Sequence, residues 1–172
     1  MEAQPAPAPP PAAAPDATGE WTGVPVYRCR LEVTGTRAGM PQVGTPADAV
    51  ALARALIPTD ADRIHVVGIA LDVRNRAIGA FEVGVGSLDT ALLCPPDCLK
   101  PALLLNAAAV ILAMNHVSGE ALPPSHDTLV AAGRVLVASH MLGIPLLDLV
   151  ILGDGSYASL RDRGDLSGWL PR

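Results

Sequence analysis

LLLNAAAVILAMNHVSG, residues 103–119, is the stretch that decides the fold. Residues 108–113 carry only apolar side chains, which is typical of a strand buried in the core of a sheet. Residues 115–119, among which Asn115, His116 and Ser118 are polar, follow directly, and their composition indicates a loop. The stretch therefore predicts a core strand that ends in a polar loop, with a helix immediately before it.

The helix before this strand opens at Pro95, Pro96 and Asp97, and its body runs over residues 99–107. If Asp97 is the N-cap, Pro101 is the fourth helical residue. At that position the backbone N–H has no intrahelical partner, so a proline is tolerated.

Downstream, the pattern predicts one long helix between two strands. Ser125 is a favourable N-cap, residues 125–142 are apolar nearly all round, and Gly143 is a typical helix terminator. A second core strand is expected over residues 145–152, and a short final strand over residues 157–160.

Upstream, a short amphipathic helix is predicted between Thr45 and Pro58. Thr45 is a typical N-cap and Pro46 suits the first helical position. Further towards the N-terminus, residues 26–33 alternate between apolar and polar side chains, as a half-buried edge strand does.

A β-hairpin is predicted from residues 65–71 and 77–85, which are mainly apolar runs joined by the polar turn 72–76. Gly84 and Gly86 lie at the end of the second run, without a following helix that carries a third glycine, so they indicate a bulge or bend and not a phosphate loop. Strand pairs that alternate with single helices predict the α/β class with a mixed sheet.

Composition and charge exclude several classes of function. The chain has 172 residues, of which 50% are hydrophobic, so one domain with a sizeable core is expected. The 12 basic residues against 17 acidic ones oppose a nucleic-acid surface, which needs clustered Lys and Arg. The longest apolar candidate for a membrane span, residues 101–114, is shorter than the roughly 18–20 residues required and contains Asn106.

The first fifteen residues are almost wholly Pro and Ala and do not resemble a secretory signal. We therefore expect a disordered Pro/Ala-rich tail over residues 1–22 and a cytoplasmic protein. Its three cysteines, Cys29, Cys94 and Cys98, are then expected to be reduced thiols. Cys94 and Cys98 could share a helical face, but no second Cys or His pair completes a tetrahedral metal site near them.

Several blocks of the sequence occur in an order and spacing that resembles the RadC family of the JAB/MPN metallohydrolase superfamily. The blocks are LDVRNR at 71–76, LLLNAAAVILA at 103–113, NHVSG at 115–119, PS at 124–125, LGI at 142–144, LD at 147–148 and GDGSYASL at 153–160. The resemblance implies a JAB/MPN-like domain, with a curved mixed β-sheet sandwiched with helices, over residues 23–163. Residues 164–172 are then a polar C-terminal tail.

The family resemblance also implies a zinc hydrolase of the isopeptidase type. Its site would contain a Glu on an early strand, a His-x-His pair after an apolar strand and an Asp on the following helix. Two imidazoles and a carboxylate leave the fourth position of zinc for a water molecule, whose proton the Glu accepts.

Two of these positions carry other residues here. The family pattern Asp-Arg-Glu-x-Phe matches DRIHV at 62–66, which places Ile64 at the general base. The pattern His-Asn-His-Pro-Ser-Gly matches MNHVSG at 114–119, which places Met114 at the first histidine and leaves His116 as the second. Glu82, on the next strand, is the nearest acidic alternative to the missing base.

The helical Asp depends on the alignment. Counting from His116 without a gap puts Asp127 at the ligand position. One extra residue in the loop at 120–122 puts Thr128 there instead and turns Asp127 about 100° round the helix. The second alignment is preferred because it also matches the blocks at 124–125, 142–144 and 147–148.

We therefore expect a RadC-like domain that has lost its zinc site, needs no cofactor and acts as a binding or scaffold module for a protein partner or a second copy. The alternative is a zinc metallohydrolase in which His116 and Asp127 hold the metal and Glu82 is the base. A third hypothesis, a DNA-repair-associated protein, depends only on the family label, since the acidic charge balance and the five aromatic residues oppose nucleic-acid binding.

Overall fold

Three helices and five strands are formed within the residues that the computed structural model describes, which are 31–35, 41–120 and 123–169. In chain order the elements are α1 (Pro46–Ala53), β1 (His65–Leu71), β2 (Ala77–Val85), α2 (Pro95–Leu104), β3 (Ala109–Asn115), α3 (His126–Met141), β4 (Leu146–Leu152) and β5 (Tyr157–Ser159). Among these helices, none is long and apolar enough to cross a lipid bilayer.

The five strands form one mixed sheet in the order β2-β1-β3-β4-β5. β3 and β4 run parallel, and the other neighbours are antiparallel. A parallel pair needs a crossover connection, and α3 provides it. The predicted α/β class, the mixed sheet and the hairpin of β1 and β2 are therefore confirmed.

The sheet has a buried core on each face. On one face, Val66, Leu112 and Ile151 pack with buried residues of α2 and α3. On the other, Val67 and Ile111 pack with buried residues of α1. Because side chains alternate along a strand, this division shows which face each residue of the candidate site serves.

The start of α2 differs from the prediction. The N-cap is Cys94 and not Asp97, and Pro95 is the first helical residue. Pro101 is therefore the seventh residue and lies inside the helix, where it removes one intrahelical hydrogen bond. Two consecutive prolines with φ already near the helical value start the helix earlier than a search for a polar N-cap suggests.

The starts of α1 and α3 and the end of α3 agree with the sequence analysis, whereas α1 ends at Ala53, well before Pro58, and α2 ends at Leu104 and not at residue 107. Thr45 caps α1, and a reciprocal hydrogen bond from the backbone of Thr45 to Asp48, which the sequence analysis did not identify, completes a capping box. Ser125 caps α3 through the N–H of Thr128, and Gly143 follows the helix with a φ of 70°.

Two predictions concern the chain termini. The predicted tail 1–22 and residues 26–30 of the predicted strand 26–33 lie outside the described residues. Residues 31–33 are described and are not in a strand, and Leu31 and Val33 are exposed. Alternation alone does not make a strand, since a strand needs a neighbouring strand as hydrogen-bond partner.

Part of the predicted C-terminal tail packs against the domain. Leu166 and Trp169 contact the core on the side of α2 and α3. Gly133 makes this contact possible, because a Cβ at this position of α3 would overlap the indole ring of Trp169.

Asp148 joins β4 to the turn after β5. It is only 2% exposed. The Ser159 hydroxyl donates to its Oδ2 at 2.5 Å, and the Arg161 N–H donates to its Oδ1 at 3.0 Å. Burial raises the pKa of the Asp148 carboxyl above its ordinary value, although both hydrogen bonds oppose the shift.

Because this pKa is raised by folding, protonation of Asp148 stabilises the folded state at acidic pH, and that contribution is lost as the pH rises through the folded-state pKa. Asp148→Asn is therefore expected to become more stable relative to the native chain as the pH rises from 4 towards neutrality. Asp148→Ala, which loses both hydrogen bonds, should cost about 1–3 kcal/mol at pH 7. Urea unfolding at several pH values tests both, and an Asp148→Asn penalty that grows with pH would contradict the assignment.

Candidate functional site

The candidate site lies where β3 ends, next to the start of β1, and the helical position expected of it lies in the first turn of α3. Met114 on β3 pairs with Val66 on β1. Met114 and Ile64 are each 3% exposed and belong to the same apolar core, on the face that α2 and α3 cover. The structure thus brings together the residues at two of the expected site positions, and both are aliphatic or thioether side chains.

The first turn of α3 contains both candidates for the helical position of the site, Asp127 and Thr128. Thr128 is buried, whereas Asp127 is exposed to solvent. The Thr128 hydroxyl lies 3.0 Å from the Ser125 hydroxyl, so it takes part in the helix cap. This arrangement supports the alignment that places Thr128, and not Asp127, at the helical position of the site.

His116 lies just past the end of β3. Its backbone N–H donates to the carbonyl oxygen of Leu152 at 2.9 Å, which continues the pairing of β3 with β4 by one residue. Its Nδ1 and the Ser118 Oγ are 2.7 Å apart. The imidazole is therefore held by its own loop.

Asn115 fixes the loop from the other side. Its Oδ1 accepts a hydrogen bond from the N–H of His65 at 2.7 Å, and its Nδ2 donates to the carbonyl oxygen of Arg63 at 2.9 Å. The side chain thereby ties the start of β1 to the end of β3. The sequence analysis gave Asn115 no role, although it stands in the middle of the quoted motif.

A cavity of about 630 Å³ opens beside His116, between the segment after α1 and the loops after β3 and β4. Arg54 lies at its edge, and its Nη2 donates to the carbonyl oxygens of Gly153 at 2.5 Å and Ser156 at 3.3 Å. No sequence pattern indicates this contact, since the partners are about a hundred residues apart. The remaining lining residues are Ile57, Pro58, Thr59, Asp60, Ala61, Asn115, Val117, Ser118, Gly119, Leu152 and Asp154.

Glu82 lies on the face of the sheet that α1 covers. It pairs with Val67 on β1, and Val67 belongs to the core of that face. Its carboxylate is exposed and lies 3.7 Å from Nδ1 of His65. Glu82 therefore sits on the opposite side of the sheet from Met114 and Ile64.

The described ranges contain no cluster of three or more His, Cys, Asp or Glu side chains that could hold a metal ion. Cys98 of α2 is not available as a metal ligand. Cys98 is completely buried, and desolvation raises the pKa of its thiol to about 12, so it stays protonated at neutral pH.

Comparison with known proteins agrees with this fold. Residues 43–165 match the RadC-like JAB domain. The chain belongs to the RadC family. It is 41% identical over 128 residues to a UPF0758 protein of Rubrobacter xylanophilus. The aligned residues are 74% of this chain and 55% of that protein.

Other RadC relatives are similarly close. A UPF0758 protein of Desulfitobacterium hafniense is 41% identical over 105 residues, which is 61% of this chain and 46% of the relative. One of Moorella thermoacetica is 40% identical over 102 residues, which is 59% and 44% of the two chains. The match thus spans about half the length of each of these relatives.

The donor set at this RadC site does not fit a zinc ion. Catalytic zinc needs three protein ligands that donate nitrogen, oxygen or thiolate sulfur. In the preferred alignment, His116 is the one such ligand at the expected positions, beside the Met114 thioether and the Thr128 hydroxyl, while Ile64 offers no donor for the general base.

Proposed function

We propose that this RadC-family domain has lost the zinc site of its superfamily and acts as a binding or scaffold module. The observation that carries the proposal is the burial of Ile64, Met114 and Thr128 at three of the expected site positions. A buried aliphatic side chain cannot transfer a proton, and a thioether suits softer ions than zinc.

The enzyme alternative requires His116, Asp127 and Glu82 to act on one metal ion. Asp127 is exposed on α3, and Glu82 lies on the α1 face of the sheet. These placements argue against binding of one zinc ion by all three side chains. The sequence blocks that determine the fold are nevertheless present in this chain. A domain that keeps its fold while its site lacks ligands fits a binding role better than a hydrolytic one.

The zinc content of the untagged native chain tests this proposal. The protein is purified without chelators, incubated with excess zinc, dialysed and analysed by plasma mass spectrometry. We expect far less than one zinc ion per chain, because a single imidazole does not retain the metal through dialysis.

A His116→Ala variant is the matched control, and its zinc content should equal that of the native chain. One zinc ion per native chain that disappears in His116→Ala would overturn the proposal and restore the metallohydrolase alternative.

A further inference from the structure

An apolar groove lies between α2 and α3, on the outer surface of the helical layer. It has a volume of about 340 Å³. Two of its leucines are well exposed, Leu103 at 43% and Leu142 at 50%. The complete lining is Pro95, Pro96, Leu99, Lys100, Leu103, Ala138 and Leu142.

Positive charge flanks this α2/α3 groove, although the whole chain has a net charge of −5. Lys100 is part of the lining, and Arg134 is exposed one helical turn before Ala138. Neither side chain forms an ion pair with a described residue.

The acidic residues of the two helices form no ion pair with these cations. Asp97 lies three residues before Lys100 on α2, a spacing at which side chains are neighbours on a helix surface, but no ion pair joins the two. Asp127 is on the same line of α3 as Ala138, but about 16 Å from it along the helix axis. The groove therefore combines apolar walls with unpaired cations.

We propose that the α2/α3 groove binds an amphipathic helix of a partner protein, with aliphatic side chains towards the groove and carboxylates beside Lys100 and Arg134. A concave apolar groove between two helices is a typical receptor for one further helix. The carboxylates of the partner would pair with cations that have no partner of their own. The proposal rests on the proposed function, because it names the surface through which the module binds.

A second copy fits this surface poorly. A two-fold contact places the same patch on both chains, so Lys100 and Arg134 would face the same two cations across the interface. Like charges opposed in an interface are unfavourable. The charge pattern thus favours an acidic partner over self-association.

Two synthetic helical peptides test the proposal on the full chain. Both carry leucines at positions i, i+3 and i+7, and one has glutamates at the flanking positions where the other has lysines. Fluorescence anisotropy is expected to show at least about tenfold tighter binding of the glutamate peptide at low salt, with the difference reduced as salt screens the charges. Leucine-methyl NMR should place the bound peptide at Leu103 and Leu142.

The charge-reversal variant Lys100→Glu/Arg134→Glu should lose this preference and bind the lysine peptide more tightly. Arg74→Glu, at the tip of the β1–β2 hairpin, removes an exposed cation elsewhere and should bind both peptides as the native chain does. Thermal melts check that the variants remain folded. We expect them to be folded because all three side chains are exposed.

Three results with the peptides would overturn the proposal: equal binding of the two peptides, no binding of the glutamate peptide up to about 1 mM, or methyl shifts away from the groove. Dimerisation of the chain that Leu142→Asp abolishes would show that a second copy occupies the groove. Binding to phosphatidylserine vesicles in place of the peptide would also overturn the proposal. The zinc content is measured independently, so a failure here is distinguishable from a failure of the proposed function.

Discussion

The variant Met114→His/Thr128→Asp is expected to bind one zinc ion per chain. The native chain is expected to bind far less than one. Together with His116, the double variant supplies two imidazoles and one carboxylate, the set that holds a catalytic zinc ion. The residues replaced are both buried, next to the end of β3 and in the first turn of α3. Loss of a residue that only hydrogen-bonds to a metal ligand lowers metal affinity about 10–100-fold. The gain in zinc affinity from two added ligands should be larger than that.

Zinc competition with a chromophoric chelator measures this affinity, and thermal unfolding provides a second readout. Zinc at a hundred times its dissociation constant should stabilise the double variant by about 2.7 kcal/mol. Without zinc, the double variant is expected to be less stable than the native chain, because it buries a carboxylate in place of a capping hydroxyl.

The single variant Met114→His is the informative control. It keeps Thr128 and Asp127, so it offers three ligands only if Asp127 reaches the metal. Zinc binding by Met114→His as tight as that of the double variant would show that Asp127 is the ligand and that the gapless alignment is correct. Adding His116→Ala to the double variant should remove the gained affinity.

The sequence predicted the elements that carry the candidate site, which are β3, the loop after it and α3. The order of the blocks that match the family favours Thr128 over Asp127 at the helical position, because a helix cannot change register between two matched blocks. The exposure of Asp127 and the burial of Thr128 agree with that placement. The role of Asn115 was not predictable in this way, because its two hydrogen-bond partners, Arg63 before β1 and His65 at its start, lie about fifty residues away along the chain.

Features that depend on distant parts of the chain were not predictable from local patterns. The contact of Arg54 with Gly153 joins segments about a hundred residues apart. The α2/α3 groove exists only because two helices pack side by side. Trp169 lies in a segment of polar composition, and its packing against the core depends on the absence of a side chain at Gly133, a residue of α3.

The two glycines at the end of β2 show how structure separates residues that look alike in sequence. Gly84 pairs with Val66 at an irregularity of the β1–β2 ladder, and the atoms nearest to a Cβ there belong to Leu92, at 3.5 Å or more. A Cβ at Gly86 would overlap the carbonyl oxygen of Thr90. Of the predicted bulge or bend, the structure shows a bulge-like register shift at Gly84, and the two positions have different steric limits.

Gly86→Ala is therefore expected to destabilise the domain, whereas Gly84→Ala is not. The obstacle at Gly86 is backbone, so the turn at residues 87–90 must move, as must the hydrogen bond from the Gly86 N–H to the Ile64 carbonyl oxygen at 2.7 Å. Overpacking of this kind costs about 1–3 kcal/mol, or roughly 2–12 °C in the unfolding midpoint of a domain of this size. Gly84→Ala should be neutral or stabilise by up to about 1 kcal/mol. Urea and thermal unfolding of the matched pair measure the difference, and equal midpoints would show that the turn beside Ile64 yields without cost.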